Sequence, residues 1–283
     1  GRWQLSRPLR LVARHSGRSG APVVLRGSAR AETVLSGAVV LETVESPPQG
    51  VLDRLSPSAR GFTRAFRLPA SAPELLPTLR ARQGQGLDPT PIGGEPFYPG
   101  RALQLARWPN NDFSRVRAAT EDRTRIDVPQ ASARWEAWSR APDLWVHGYW
   151  GQDWADEWIP VRAPESALGV LTFKGAPPKY GLRAGAPFRV YNVLEELDEP
   201  GEWYADAGSG IVLVWPPAGR GDQTPWMTRL ETVIDIRGAS HVQLNRLHIE
   251  GARGDLVVVA GGRDVVLSQC AFTQSGLRAV RLS

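Results

Sequence analysis

A repeat of 23 residues near the end of the chain limits its architecture more than any other feature. Placing Val233 to Gly254 over Leu256 to Leu277 sets Ile234 over Val257, Ile236 over Val259, Val242 over Val265, Leu244 over Leu267, Leu247 over Cys270 and Ile249 over Phe272. A third copy starts on the same shift with Val280 and Leu282. Apolar residues alternate within each run, which predicts strands with one buried face. The fixed longer period predicts that each unit stacks on the next. Helical repeats are longer and carry a 3.6-residue pattern, and the Leu-x-x-Leu-x-Leu signature of a leucine-rich repeat is not kept. Three short strands per repeat, broken at Gly238 to Ser240 and at Gly251 to Gly254, predict a parallel β-helix. Asn245 and Ser268 fall at equivalent bends, where small polar side chains can bond from one repeat to the next. Cys270 takes an inward position and reads as a small core residue.

Composition removes several classes. The single cysteine among 283 residues excludes an internal disulfide framework and any multi-cysteine metal site. No apolar run reaches the roughly 18 to 20 residues that span a bilayer. The 29 glycines and 24 prolines favour short strands and turns over long helices. A net charge of +5 is scattered, with no basic block, and only Lys174 and Lys179 among the 34 basic residues are lysine. A nucleic-acid footprint is therefore not expected. The chain begins at Gly1 and stops just after a strand-like run, so it reads as an N-terminal fragment, and the lack of a signal peptide bears on nothing.

Residues 1–80 read as the opening of the same solenoid. Leu9 to Ala13, Val23 to Leu25, Val34 to Ser36 and Val39 to Leu41 are short β-rich runs between Gly and Ser turns, and Phe62 to Leu68 closes the part. Ser71 to Pro99, rich in Pro, Gly and Gln, reads as a boundary loop. Residues 81–228 hold ten of the eleven tryptophans and lose the 23-residue period. Strands are predicted over Leu103 to Arg107, Leu144 to Trp150, Val170 to Phe173, Phe188 to Leu197 and Ile211 to Trp215. Glu199-Pro200-Gly201-Glu202 predicts a type II turn, because Pro presets the first central position and Gly accepts positive φ at the second. An inserted antiparallel β-sandwich is the simplest arrangement, with residues 229–283 resuming the β-helix.

Residues 188–217, FRVYNVLEELDEPGEWYADAGSGIVLVWPP, resemble a signature of right-handed parallel β-helix proteins of the pectate-lyase-like superfamily that carry a sandwich insertion. ALQLARWPN (Ala102 to Asn110), VHGYWGQDWAD (Val146 to Asp156), APVVLRGS and VLSGA are similar to further landmarks of that group. The resemblance runs over nearly the whole chain, and Leu197 to Tyr204 is its most specific piece. It implies an all-β fold, a right-handed parallel β-helix interrupted by an antiparallel sandwich-like insertion. It also implies a secreted or periplasmic carbohydrate-active protein acting on a polysaccharide or oligosaccharide. A glycoside hydrolase is expected first, then a non-catalytic carbohydrate-binding or adhesin-like β-helix, then a lyase of uronate-containing glycan. Such proteins continue through more repeats, and their catalytic acids lie on later ones, so the catalytic residues are expected beyond Ser283.

Glycoside hydrolysis needs two carboxyl groups, and a lyase needs a base plus cations such as Ca²⁺, Arg or Lys to stabilise the charge developed beside a uronate. Three places supply acids. Glu195, Glu196, Asp198, Glu199 and Glu202 flank the Pro-Gly turn and are expected to be solvated. Trp150, Asp153, Trp154, Asp156 and Glu157, with His147 just before, combine aromatic faces with carboxylates, which suits sugars; the same tryptophans would also fill a small core. In the repeats, Asp235, Glu250, Asp255 and Asp264 lie between inward positions. Asp235 points outward, and its neighbour one repeat on is Val258, so no carboxylate ladder for Ca²⁺ forms. His15 and His241 sit at turns and His248 points outward, so no metal pair is expected. No cofactor is evident, with Ca²⁺ relevant only to a lyase. No nucleophile elbow or phosphate loop is present.

Overall fold

The computed structural model describes residues 1–45, 48–70, 82–83, 93–162, 164, 169–206 and 208–283. The fold is all-β, with parallel and antiparallel sheets and a few short helices such as Trp135–Ser139.

Three parallel sheets carry the repeat. Ile234–Arg237, Val257–Ala260 and Val280–Leu282 lie side by side in one, with Ile234 opposite Val257 and Val257 opposite Val280. Val242–Asn245 pairs with Val265–Ser268 in the second, and His248–Ala252 pairs with Ala271–Ser275 in the third. Every pairing of these strands follows the 23-residue shift. The N-terminal segment extends the same three sheets: Leu9–Val12 lies beside Ile234–Arg237, Val23–Arg26 beside Val242–Asn245, and Val34–Ser36 beside His248–Ala252. Arg2–Gln4 adds a further strand beside Val34–Ser36. The inward residues of all three sheets meet in one core of Leu11, Ile234, Ile236, Val242, Leu244, Ile249, Val257 and Val259, with half-buried Cys270 packed against it.

The bends between strands repeat as strictly as the strands. Gly238 and Gly261, His241 and Asp264, Arg246 and Gln269, and Gly251 and Gln274 all have positive φ, and each pair is 23 residues apart. A non-glycine residue in this region costs on the order of 1–2 kcal/mol, so the ladders on either side must over-determine these corners. The Asn245 amide donates to Ser268 Oγ at 2.7 Å and Arg246 Nε to Gln269 Oε1 at 3.0 Å, tying successive bends together.

The parallel pattern ends at Gly37. Its amide donates to Glu250 O, and its carbonyl accepts from Arg229 and Leu230. The next strand, Ala38–Val40, is not a further member of the stack, as its sequence suggested; it runs antiparallel to Trp226–Thr228. Glu42–Val44 and Arg64–Arg67 then pair antiparallel with each other, and Arg64–Arg67 with Ile211–Val214. The reason is local. A Cβ on Gly37 would lie 2.9 Å from Val233 Cγ2 and 3.0 Å from Gly251 O, so the backbone passes through a gap where only a turning residue without a side chain fits.

Residues 93–228 build mainly antiparallel sheets around aromatic cores, with Gln104–Leu105 parallel to Glu202–Asp206 as an exception. Trp145–Gly148 sits between Glu157–Pro160 and Pro187–Tyr191, and Trp135, Trp138, Trp150 and Phe188 fill the core beneath. Trp145, Trp203, Tyr98 and Phe66 share a second core. The expected strand from Phe188 to Leu197 stops at Tyr191, and Leu194–Glu196 forms a 3₁₀ turn with Leu194 and Leu197 buried. The boundary loop Ser71 to Pro99 lies largely outside the described residues, and its end forms the strand Pro96–Tyr98.

Among the glycines described, the tightest surroundings are at Gly27, where a Cβ would fall 1.9 Å from Arg246 O, across to the other part of the chain. Gly27→Ala is predicted to lower stability by about 1–3 kcal/mol, as forced overpacking does. Thermal unfolding followed by circular dichroism measures it, and an unchanged midpoint would refute the close approach.

Candidate functional site

The hairpin between Trp145–Gly148 and Glu157–Pro160 carries the aromatic and acidic run. Trp150 is 1 % exposed, packs on Phe173 and Phe188, and donates from Nε1 to the Glu157 carbonyl at 3.1 Å. Glu157 is also buried. Its carboxylate accepts the Lys179 amide at 2.9 and 3.2 Å, and burial pushes its pKa up despite that contact. These two residues of the five have no face open to a ligand; they bind the hairpin to the segment around Lys179. The other three lie outside. Trp154 is 54 % exposed and meets the edge of Tyr180 at 4.9 Å, with the Lys179 ammonium 5.2 Å from the Tyr180 ring. Asp153 pairs with Arg183, and Asp156 with His147 Nε2 at 2.9 Å.

Tyr180, Lys179 and Arg183 were not singled out from the sequence. They sit in a stretch of Pro and Gly with no periodicity, brought to the hairpin by the close packing of Gly151 on the Tyr180 carbonyl, the Lys179 amide on Glu157 and the Arg183 amide on the Trp150 carbonyl. The result is an exposed indole with a phenol, an ammonium, the Asp153–Arg183 ion pair and the His147–Asp156 hydrogen bond on the same hairpin and its neighbouring segment. An aromatic face with charged groups at its rim can take the C–H face of a pyranose and bond its hydroxyls.

The acids beside the Pro-Gly turn differ from expectation. The turn itself forms: Gly201 has φ of 96°, and the Glu202 amide donates to Glu199 O at 3.3 Å. Its acids are not all solvated. Glu196 is 1 % exposed, held by Arg134 and by Trp138 Nε1 at 2.8 Å; burial raises its pKa against the pull of the guanidinium. Glu202 is 4 % exposed and accepts the amides of Asp198 and Glu199 at 3.0 and 3.1 Å, and burial pushes it up to about 8. Glu195 pairs with Arg54 at 2.9 Å. Leu194 and Leu197 draw the backbone inward, so Glu196 between them is buried, as is Glu202 beyond the turn, while Glu195 and Asp198 are half-buried and Glu199 stays exposed.

In the repeats Asp235 faces away from the core but is held between Arg10 and Arg237, with a side chain 7 % exposed. Asp255 is held by Arg278 and Arg281. Glu250 is fully buried beside Arg2, with His248 Nε2 at 4.0 Å. His248 also bonds Glu32 and Thr273, both at 2.7 Å. Among the described residues no cluster of three His, Cys, Asp or Glu is arranged to hold a metal, and no helix is long and apolar enough to cross a membrane.

No protein-family model matches the chain, and no curated protein matches it. A solved structure titled "Glycoside hydrolase" superposes with a TM-score of 0.70 at 16 % identity, over 95 % of this chain and 53 % of its own length. At that identity the likeness is one of fold, and this chain spans about half the length of the chain it matches.

The raised Glu202 pKa has a thermodynamic consequence. The native state keeps the proton between the ordinary value near 4.5 and about 8 while the unfolded chain loses it, so this stabilisation is complete at low pH and disappears as pH rises through 8. The slope approaches about 1.4 kcal/mol per pH unit. Glu202→Gln keeps an acceptor for both amides and removes the titration. Denaturant unfolding at pH 5 and pH 8 is predicted to show a smaller loss of stability in the variant than in the parent; equal losses would contradict the assignment.

Proposed function

We propose that the chain is part of a carbohydrate-active right-handed parallel β-helix protein, acting outside the cytoplasm as a glycoside hydrolase on a polysaccharide or oligosaccharide. In this reading residues 1–37 and 229–283 belong to the β-helix, and the intervening antiparallel sheets form an insertion that walls one end of a substrate groove. The fold likeness over 95 % of the chain to a solved glycoside hydrolase carries the reading. The exposed Trp154 and its charged rim support it. A sugar ring would lie on the Trp154 face, with Asp153 and Arg183 offering an acceptor and donors to its hydroxyls. Two carboxyl groups, one protonating the leaving oxygen and one activating water or attacking directly, would perform the hydrolysis. None of the buried acids is assigned to that pair, because each is already engaged by arginines or amides.

A lyase is the second reading, favoured by the guanidinium groups of Arg10, Arg237 and Arg281 on one sheet face, with Arg278 beside Arg281 at Asp255, which would suit an acidic glycan. The two chemistries leave different products: new reducing ends alone for hydrolysis, and an unsaturated product absorbing in the ultraviolet for elimination. Reducing-end and absorbance assays of the protein on a panel of neutral and uronate-containing glycans distinguish them, and product in neither would count against both.

Trp154→Ala tests the sugar contact directly. In a protein with unchanged circular dichroism, affinity for an oligosaccharide bound by the parent is predicted to fall about tenfold, equivalent to about 1.4 kcal/mol. Undiminished affinity would remove Trp154 from the site.

A further inference from the structure

A cleft of about 250 Å³ lies where the parallel sheets give way to the antiparallel ones. Its walls come from Gln4, Leu5 and Ser6 at the end of the first strand, from Val39 and Val40, from Pro69 and from Arg229. Hydrogen bonds around Gly37 hold these segments together. The Leu5 amide donates to Ser36 O at 2.8 Å, Gln4 Nε2 to Ala38 O at 3.0 Å and the Arg229 amide to Gly37 O at 3.2 Å, and the Arg229 carbonyl accepts Arg253 Nε at 2.8 Å. The backbone of Arg229 is thus tied on both sides, and its side chain leaves a fixed base.

Arg229 supplies the one charged group on these walls among the described residues. It is half-buried, yet its guanidinium has no hydrogen bond or ion pair among the described residues. Every other half-buried arginine there has a partner. Arg2 holds Glu250, Arg54 holds Glu195, Arg134 holds Glu196 and Arg281 holds Asp255, and the rest donate to carbonyl or amide oxygens. The Arg229 nitrogens are not among the unpartnered polar atoms shut off from solvent, so they stay open on a residue that lines the cleft. The acids of the surrounding segments are engaged elsewhere: Glu231 pairs with Arg253 at 3.6 Å, and Glu250 pairs with Arg2.

This arrangement selects a ligand chemistry. A charge drawn partly out of water is compensated by an opposite charge that bonds it, and the planar fork of a guanidinium matches the two oxygens of one carboxylate. A phosphate dianion would call for a second cation or an array of backbone amides, and the walls carry no lysine and no other arginine. Leu5, Val40 and Pro69 line the same cleft, with Val40 37 % exposed, so the body that carries the carboxylate meets apolar surface. The volume lies below the roughly 300–1,000 Å³ of sites for drug-sized ligands, which limits the occupant to one small unit.

We infer that this cleft, separate from the Trp154 surface, binds a single carboxylate carried on a small body with an apolar face, either an acidic sugar unit or a free organic acid. Arg229 pairs with the carboxylate, and Leu5, Val40 and Pro69 receive the apolar face. The site does not depend on the reaction proposed above.

Arg229→Gln removes the charge and leaves the backbone bonds of residue 229 in place. Ser6→Asp, at an exposed position on the wall, sets a competing carboxylate beside an intact Arg229. Ligand-observed NMR titration at low salt uses methyl glucuronoside as the acidic sugar, methyl glucoside as its neutral counterpart, phenylacetate as the non-sugar acid and inorganic phosphate as the small anion. The parent is expected to bind at least one carboxylate probe, and Arg229→Gln to lose about tenfold or more in affinity for it, as loss of a charged hydrogen-bonding partner does. Ser6→Asp is expected to lose severalfold. Preference for methyl glucuronoside assigns the site to an acidic sugar, and preference for phenylacetate assigns it to a free acid; both support the carboxylate site. Should Arg229→Gln unfold, as circular dichroism would reveal, Ser6→Asp decides alone. A parent that binds neither carboxylate, that binds methyl glucoside as tightly as methyl glucuronoside, or that binds phosphate more tightly than either acid overturns the proposal. Equal affinity in the parent and the folded cleft variants overturns it as well.

Discussion

Parallel pairing between segments more than two hundred residues apart governs this structure: Leu9 lies beside Ile234, Val23 beside Val242 and Val34 beside His248. A parallel ladder buries its apolar faces only if the register is correct to the residue, because a slip of one turns every side chain to the opposite face. The 23-residue spacing of the bends, with left-handed backbone at the same four places in successive repeats, fixes that register. Once it is fixed, Gly37 and Leu230 are brought together by hydrogen bonds. The chain between them must leave and return at one point, and the antiparallel sheets are held at that exit.

The acids illustrate how burial decides a carboxylate's task. Glu157, Glu196 and Glu202 each accept bonds from the protein, and each is raised in pKa by burial, which identifies them as braces for loops and turns. Perturbed carboxyl groups attract attention as candidate catalysts, but the bonds that these three accept come from the protein itself. The Trp154 indole, by contrast, is open at the surface.

The parallel part of the fold was legible because its information is periodic: Ile234 over Val257 and Leu244 over Leu267 are seen in the letters and recur in the sheets. The Asn245 to Ser268 bond was legible for the same reason. The N-terminal strands were readable as strands, but the reversal at Gly37 was not, because Ala38–Val40 has the composition of another stacked strand and only the crowding at Gly37 redirects it. Within the candidate site, Trp154 and Asp153 were visible as an aromatic and acidic run, yet nothing local separated exposed Trp154 from buried Trp150. Tyr180 and Arg183 join them through tertiary packing alone. Of the turn acids, Glu199 is solvated as its charge suggests, but Glu196 and Glu202 are buried, because Leu194 and Leu197 draw this part of the backbone inward, which the density of charge concealed.

The stacking of the N-terminal strands on the repeat is tested most directly by paired cysteines. In a Cys270→Ser background, Val24→Cys with Gln243→Cys places two thiols on register partners of adjacent strands, about 4.8 Å apart along the hydrogen-bonding direction and within the span a disulfide bridges. Mild oxidation is predicted to join this pair nearly completely, and to leave Val24→Cys with Val266→Cys, one strand further on, unlinked. Cross-linking of the second pair in preference to the first would contradict the register on which the account stands.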